Sequence, residues 1–282
     1  MSKLEQQGFL TIAQNNDTTD YLRLAYAQAL SIKLTMPGSK YAVLVDAVTM
    51  SQVTNKHRKI FDYVIELPID DAVDQQWKLA NEWQACALTP FKETIKLESD
   101  ILFTRSIEHW WTIFRLRNIV ISLGCKDFQG NPAASRNYRK VFDDNNLPDV
   151  YTGLMYFRYS SEAYEFFEIV KACFRHWDIV SAQLKNYRDT QPTTDLVYAV
   201  AANRMGLETC TLPSCDFINF THMKNSINLW PESIPWSEIV LTEIDSPMLR
   251  VNNTNQYYPF HYQDKAWITD ELIERYENEL RI

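Results

Sequence analysis

Between Pro37-Gly38 and Asp46 the chain passes through five consecutive apolar residues, Tyr41 to Val45, and the run ends on a carboxylate. So short a β-prone run, without alternation, is the pattern of a strand buried on both faces, and such strands belong to parallel sheets covered by helices. The preceding segments complete the unit. Phe9 to Ala13 is apolar and β-prone, and Gln14 to Asp20 is a polar loop; Tyr21 to Met36 is predicted as a helix with Asp20 as cap and Pro37-Gly38 as stop. The opening is strand, helix, strand.

The alternation continues. Strands are predicted at Tyr63 to Leu67 and Glu93 to Leu97, with a helix between them from Asp71 to Ala87. Ser106 to Arg117 reads as a Trp-rich helix, and Ile119 to Leu123 as a strand that leads into a loop with Gly124, Gly130 and Pro132. Leu154 to Phe157 reads as a strand. Ser161 to Leu184 is amphipathic at helical spacing, and Thr193 to Met205 reads as a helix. After Pro231 the pattern becomes irregular and closes on a helix from Thr269 to Leu280. The expectation is an α/β fold: one domain with a Rossmann-like, mostly parallel central sheet flanked by helices. Residues 1–230 form its core and residues 231–282 a C-terminal arm packed on it.

Composition narrows the class. With 46% hydrophobic residues the chain can bury a sizeable core, which argues against disorder. No stretch reaches the roughly 20 apolar residues that span a bilayer, and MSKLEQQGFL lacks the layout of a secretory signal. Cys86, Cys125, Cys173, Cys210 and Cys215 contain no C-x-x-C pair. This suggests neither a disulfide framework nor a zinc ribbon and fits a reducing cytoplasm. The six glycines form no G-x-G-x-x-G and no Walker pattern, so a nucleotide would be held in another way.

In parallel α/β sheets ligands bind at the carboxyl ends of the strands. Asn15, Asn16, Asp46, Glu98 and Asp100 all follow predicted strands. Glu98-Ser99-Asp100 is the most informative of these. In extended geometry residues i and i+2 point to one side, so two carboxylates can meet one hard cation. A solvated turn would look the same in isolation.

The segment KETIKLESDILF resembles the strand and D-x-D motif of GT-A glycosyltransferases, with Glu98 in place of the first aspartate. The longer side chain leaves open whether Glu98 meets the metal directly or through water. LTIAQNN followed by DYLRLAYAQALS resembles the first strand and helix that grip the nucleotide in that family. The resemblance implies that Ala13, Gln14, Asn15, Asn16 and Tyr21, with Lys96 and Ser99, bind the donor. Val150 to Phe157 is similar to the strand lining the sugar and acceptor cleft, which implicates Thr152 and Gly153. Pro192-Thr193-Thr194-Asp195 resembles the later acidic motif, with Asp195 as base or sugar contact. Phe220 to Lys224 is similar to the family's late histidine segment, which implies His222 as a third metal ligand and Lys224 as a phosphate contact. His261 and Lys265 offer the same chemistry and remain an alternative. Each segment also has a bland reading as loop, strand start or helix cap.

The resemblance covers about residues 9 to 225. It implies a divalent metal, Mn2+ or Mg2+, held by Glu98, Asp100 and His222, and a nucleotide-sugar donor, with a UDP-sugar favoured. Asp100 and Asp195 are then the catalytic carboxylates. The chain also looks like compact transferases of tailed bacteriophages, which implies a hydroxymethylated pyrimidine in phage DNA as acceptor and the host cytoplasm as location. Arg115, Arg117, Lys126, Arg136, Arg139 and Lys140 lie in one stretch with a single acid, Asp127, although the chain as a whole carries -8. Arg136, Arg139 and Lys140 could contact DNA phosphates, or the stretch could be a solvated basic loop. The alternatives to an enzyme are a catalytically silent nucleotide-sugar-binding protein and an interaction module.

Overall fold

A computed structural model describes the chain except residues 1–3, 134–138, 188, 190, 207–209, 213–217 and 246. Six strands form the central sheet: β1 (Glu5–Ile12), β2 (Tyr41–Val45), β3 (Tyr63–Glu66), β4 (Phe91–Leu97), β6 (Ile119–Leu123) and β7 (Val150–Arg158). Their order is β3-β2-β1-β4-β7-β6. The pairs from β3 to β4 are parallel, and β7 is antiparallel to both β4 and β6. The mostly parallel α/β sheet is therefore present, and β2 is buried along its full length as its unalternating composition requires.

One face of the sheet is covered by the Tyr21–Thr35 helix, whose buried residues run from Leu22 to Ile32. A helix that apolar needs cover on its outer side as well. The Asp270–Leu280 helix contributes to that cover, tied down by Arg23 to Asp270 at 2.7 Å and by the Tyr26 hydroxyl donating to Glu277 at 2.9 Å. The Ser161–Arg175 and Thr194–Met205 helices cover the other face through Phe166, Phe167, Val170 and Tyr198.

A second, three-stranded sheet positions the site. In it β5 (Ile101–Leu102), β12 (Phe260–His261) and β8 (Thr221–His222) lie side by side, with β12 central. The remaining strands, β9 (Thr242–Asp245), β10 (Met248–Val251) and β11 (Thr254–Asn255), form a small meander. Residues 231–282 are thus more regular than their composition predicts, because two-residue and four-residue strands leave too short a periodicity to read.

Several element boundaries differ from expectation. Asp71 to Ala87 is not one helix: residues 71–74 form a turn, residues 75–78 are irregular, and a 3-10 turn at Leu79–Gln84 leads into a short helix at Ala85–Leu88. Side chains hold this segment open. Asp71 bonds Arg175 and the Trp83 indole, while Asn81 reaches Asp70 and Gln14. The predicted Ser106–Arg117 helix shrinks to Trp110–Phe114, and the Ser161–Leu184 helix breaks at His176.

Candidate active site

Asp100 closes the turn after β4 and directly precedes β5, so its position follows from the strand end predicted by the sequence. The small sheet brings histidines to it. β12 pairs antiparallel with β5, setting His261 opposite Ile101, and parallel with β8, setting His261 beside His222. His261 Nε2 lies 3.0 Å from Asp100 Oδ2 and 3.3 Å from Glu98 Oε2. Glu98, Asp100 and His261 therefore offer ligand atoms within 4.8 Å of one another, a set that could hold a metal ion. The His222 ring stands 4.3 Å from that of His261, edge to face. Both ring nitrogens of His222, and Nδ1 of His261, are buried without a hydrogen-bond partner. An imidazole nitrogen, His261 Nε2, facing two carboxylates is a donor set that suits a divalent cation.

Electrostatics separate the two histidines. Burial pushes His222 well below its ordinary range, helped by His261 and Lys224, so it stays neutral. Burial acts on His261 in the same direction, but Asp100 and Glu98 outweigh it and raise its pKa. Burial alone would raise Asp100; His261 and the Lys265 ammonium, which is in direct contact with its carboxylate, hold it below the usual carboxylate range. Glu98 goes the other way, raised by burial and by Asp100 and Asp195 despite His261.

These groups lie on a cleft of about 370 Å³. Gln14, Asn16, Tyr21, Ser99, Lys224 and Lys265 line it with the cluster, so most of the expected donor-binding residues come together. Ala13 is fully buried, and Asn15 turns away to bond Asp20 and Gln52. Lys96 is a correction: its side chain is 1% exposed and paired with Glu82 beneath the cleft, so it does not face a ligand. Glu82, Gln76, Trp77 and Lys78 line the cleft and were not anticipated. For Glu82 a signal existed, since a lysine inside a buried strand needs an acidic partner; for the others the misread helix hid them.

Thr152 and Gly153 support the site instead of lining a cleft. A Cβ on Gly153 would come within 3.1 Å of the Phe220 ring and 3.4 Å of His261 Nδ1, so the missing side chain lets the imidazole settle on β7. Thr152 is fully buried, and its Oγ1 lies 2.9 Å from both Glu98 Oε1 and Asp195 Oδ1. Asp195 follows the cap Thr193 at the start of the Thr194–Met205 helix. Its Oδ1 also accepts from the Thr152 amide at 2.8 Å, and its Oδ2 pairs with Arg139.

Of the residues expected to face DNA, Arg139 turns inward. Arg139 is 2% exposed, bonded to Asp149, Asp195 and the Val150 carbonyl, and held between the rings of Phe142 and Tyr151. A guanidinium flanked by two acids is satisfied internally, whatever the local charge count. Arg115 pairs with Glu93, and Lys126 is buried against Tyr258. Lys140 is exposed, and Arg136 lies outside the described residues.

The mostly parallel sheet flanked by helices matches the fold of solved GT-A glycosyltransferase structures. Solved structures share the fold. The glycosyltransferase GlyE of Streptococcus pneumoniae matches over 97% of this chain and 60% of its own, with TM-score 0.53 and 10% identity. An active-site mutant of LgtC matches over 97% of this chain and 95% of its own, with TM-score 0.51 and 14% identity. No protein-family model and no curated protein matches the sequence. Among the described residues no helix is long and apolar enough to cross a membrane.

Proposed function

We propose that the chain is a glycosyltransferase that moves a sugar from a nucleoside-diphosphate donor to an acceptor hydroxyl. The observation that carries this reading is the Glu98, Asp100 and His261 cluster on the floor of a cleft bordered by the loop after β1. Gln14, Asn16 and Tyr21 suit a nucleoside edge, with uracil favoured because paired donors and acceptors can read it. Lys224 and Lys265 are the cations for the diphosphate. The residues fit a divalent metal, Mn2+ or Mg2+, held by Glu98, Asp100 and His261 with His222 adjoining. Such an ion supplies Lewis-acid stabilisation of a leaving diphosphate.

This changes two expected roles. His261 replaces His222 as the third member of the cluster. Asp195 has both oxygens engaged by Thr152 and Arg139, which supports a part in orienting Glu98 through Thr152 over one as proton acceptor.

A second reading has its own observation. Lys265 already contacts Asp100, and the raised pKa of His261 places a further positive charge there, which suits a nucleotide-sugar-binding protein without metal or turnover. A thermal-shift series with UDP, GDP, CMP and nucleotide sugars, each with manganese or with chelator, separates the two. The transferase reading expects one nucleotide to raise the unfolding temperature by a few degrees with Mn2+ only, and Asp100→Ala to abolish the shift. Stabilisation that survives chelation favours the second reading; no shift with any nucleotide sinks both.

A further inference from the structure

A cavity of about 700 Å³ lies beside the cleft and belongs to neither the cluster nor the nucleotide loop. Trp77 lines both spaces. One wall is the turn segment after β3, with Asp71 and Trp77; the other is the region from Phe174 through Asp178 to Tyr187. Two contacts tie the walls together. Asp71 forms a bidentate pair with Arg175 at 3.1 Å for each bond, and the Trp77 ring packs on Phe174 at 5.8 Å.

The lining has a definite chemistry. Trp77, Phe174 and Tyr187 are half-buried rings with faces suited to C–H surfaces. Asp178 and Asp189 add carboxylates that only accept hydrogen bonds, and among the described residues no hydrogen bond or ion pair engages the Asp178 carboxylate. Trp177 is 7% exposed, and its indole N–H is buried without a hydrogen-bond partner. Among the described lining residues Arg175 is the one cation and is already bonded to Asp71, so their charge is net acidic and disfavours polyanions. Aromatic faces, carboxylate acceptors and an N–H donor without a partner among the described residues together fit a ligand that has apolar C–H faces and hydroxyls able both to donate and to accept.

We infer that this groove binds a neutral oligosaccharide and feeds the end nearest Trp77 toward the cleft, so that the acceptor is a glycan. The assignment of the ligand as acceptor rests on the transferase reading; its binding to the groove does not.

The test is saturation-transfer NMR with maltotriose, cellotriose, xylotriose and tri-N-acetylchitotriose, preceded by a screen on an array of neutral glycans. Wild-type protein is expected to bind at least one of these. Asp178→Asn and Tyr187→Leu should each weaken binding by about tenfold, the scale of one lost charged hydrogen bond or ring contact. Asp178 is exposed, so its substitution leaves the core untouched. The inference is overturned if no neutral glycan binds, if binding is unchanged in both variants, or if the groove variants lose affinity for a peptide or an oligonucleotide instead. Nucleotide binding is read separately by thermal shift. Glycan binding without any nucleotide shift would keep the groove as a carbohydrate site while the transferase reading fell; a nucleotide shift without glycan binding would do the reverse.

Discussion

Arg139 donates to Asp195 at 2.7 Å from a side chain only 2% exposed, and the pair anchors the carboxylate that reaches Glu98 through Thr152. Because Asp149 shares the same guanidinium, removing it takes the cation from two acids at once. Arg139→Gln is expected to destabilise the fold by about 3–5 kcal/mol in denaturant titration. A loss below about 1 kcal/mol would mean that the acids find water, and that Arg139 is no structural centre.

Metal binding should depend on pH with a definite sign. His261 holds its proton more tightly than an ordinary histidine because Asp100 and Glu98 face it, and a cation must displace that proton. Mn2+ affinity, followed by the EPR signal of free Mn2+, is expected to rise with pH, by up to about tenfold per unit below the pKa of His261, and to level off above it. His261→Ala should lower affinity and flatten the profile. A profile flat already in the wild type would remove His261 from the ligand set.

Gly153→Ala tests the packing under the imidazole. The added methyl meets Phe220 at 3.1 Å and His261 at 3.4 Å, so a cost of about 1–3 kcal/mol is expected, with weaker Mn2+ binding because the ring is displaced. Unchanged Mn2+ affinity would show that β7 does not set the height of His261.

Asp62 offers a pH test far from the cleft. Burial works against its charge, but Lys33 at 2.6 Å, Lys40 at 2.8 Å and the Tyr41 amide at 2.9 Å outweigh it and lower its pKa. A depressed folded-state pKa gives stability that is complete above the unfolded value and is lost as pH falls through the folded one. Asp62→Asn should cost about 1–3 kcal/mol at pH 7, and the difference from wild type should close below about pH 4. A gap that stayed constant down to pH 2 would rule out this linkage.

Much of the scaffold was legible from local pattern. Tyr41 to Val45 could only be a doubly buried strand, Asp20 and Thr193 sit where helix caps belong, and Glu98-Ser99-Asp100 falls at the end of β4 as predicted. Burial periodicity and capping are properties of neighbouring residues, so one sequence carries them. Tertiary structure decided the rest. His261, kept as the alternative to His222, meets both carboxylates because β12 inserts between β5 and β8, a pairing of segments that no local pattern encodes. Arg139 turned inward to Asp149 and Asp195, and Lys96 to Glu82, acids on other segments that neither a count of local charge nor strand periodicity can see. Which strand edges meet, and which charges are thereby desolvated, is settled only when the whole chain closes its core.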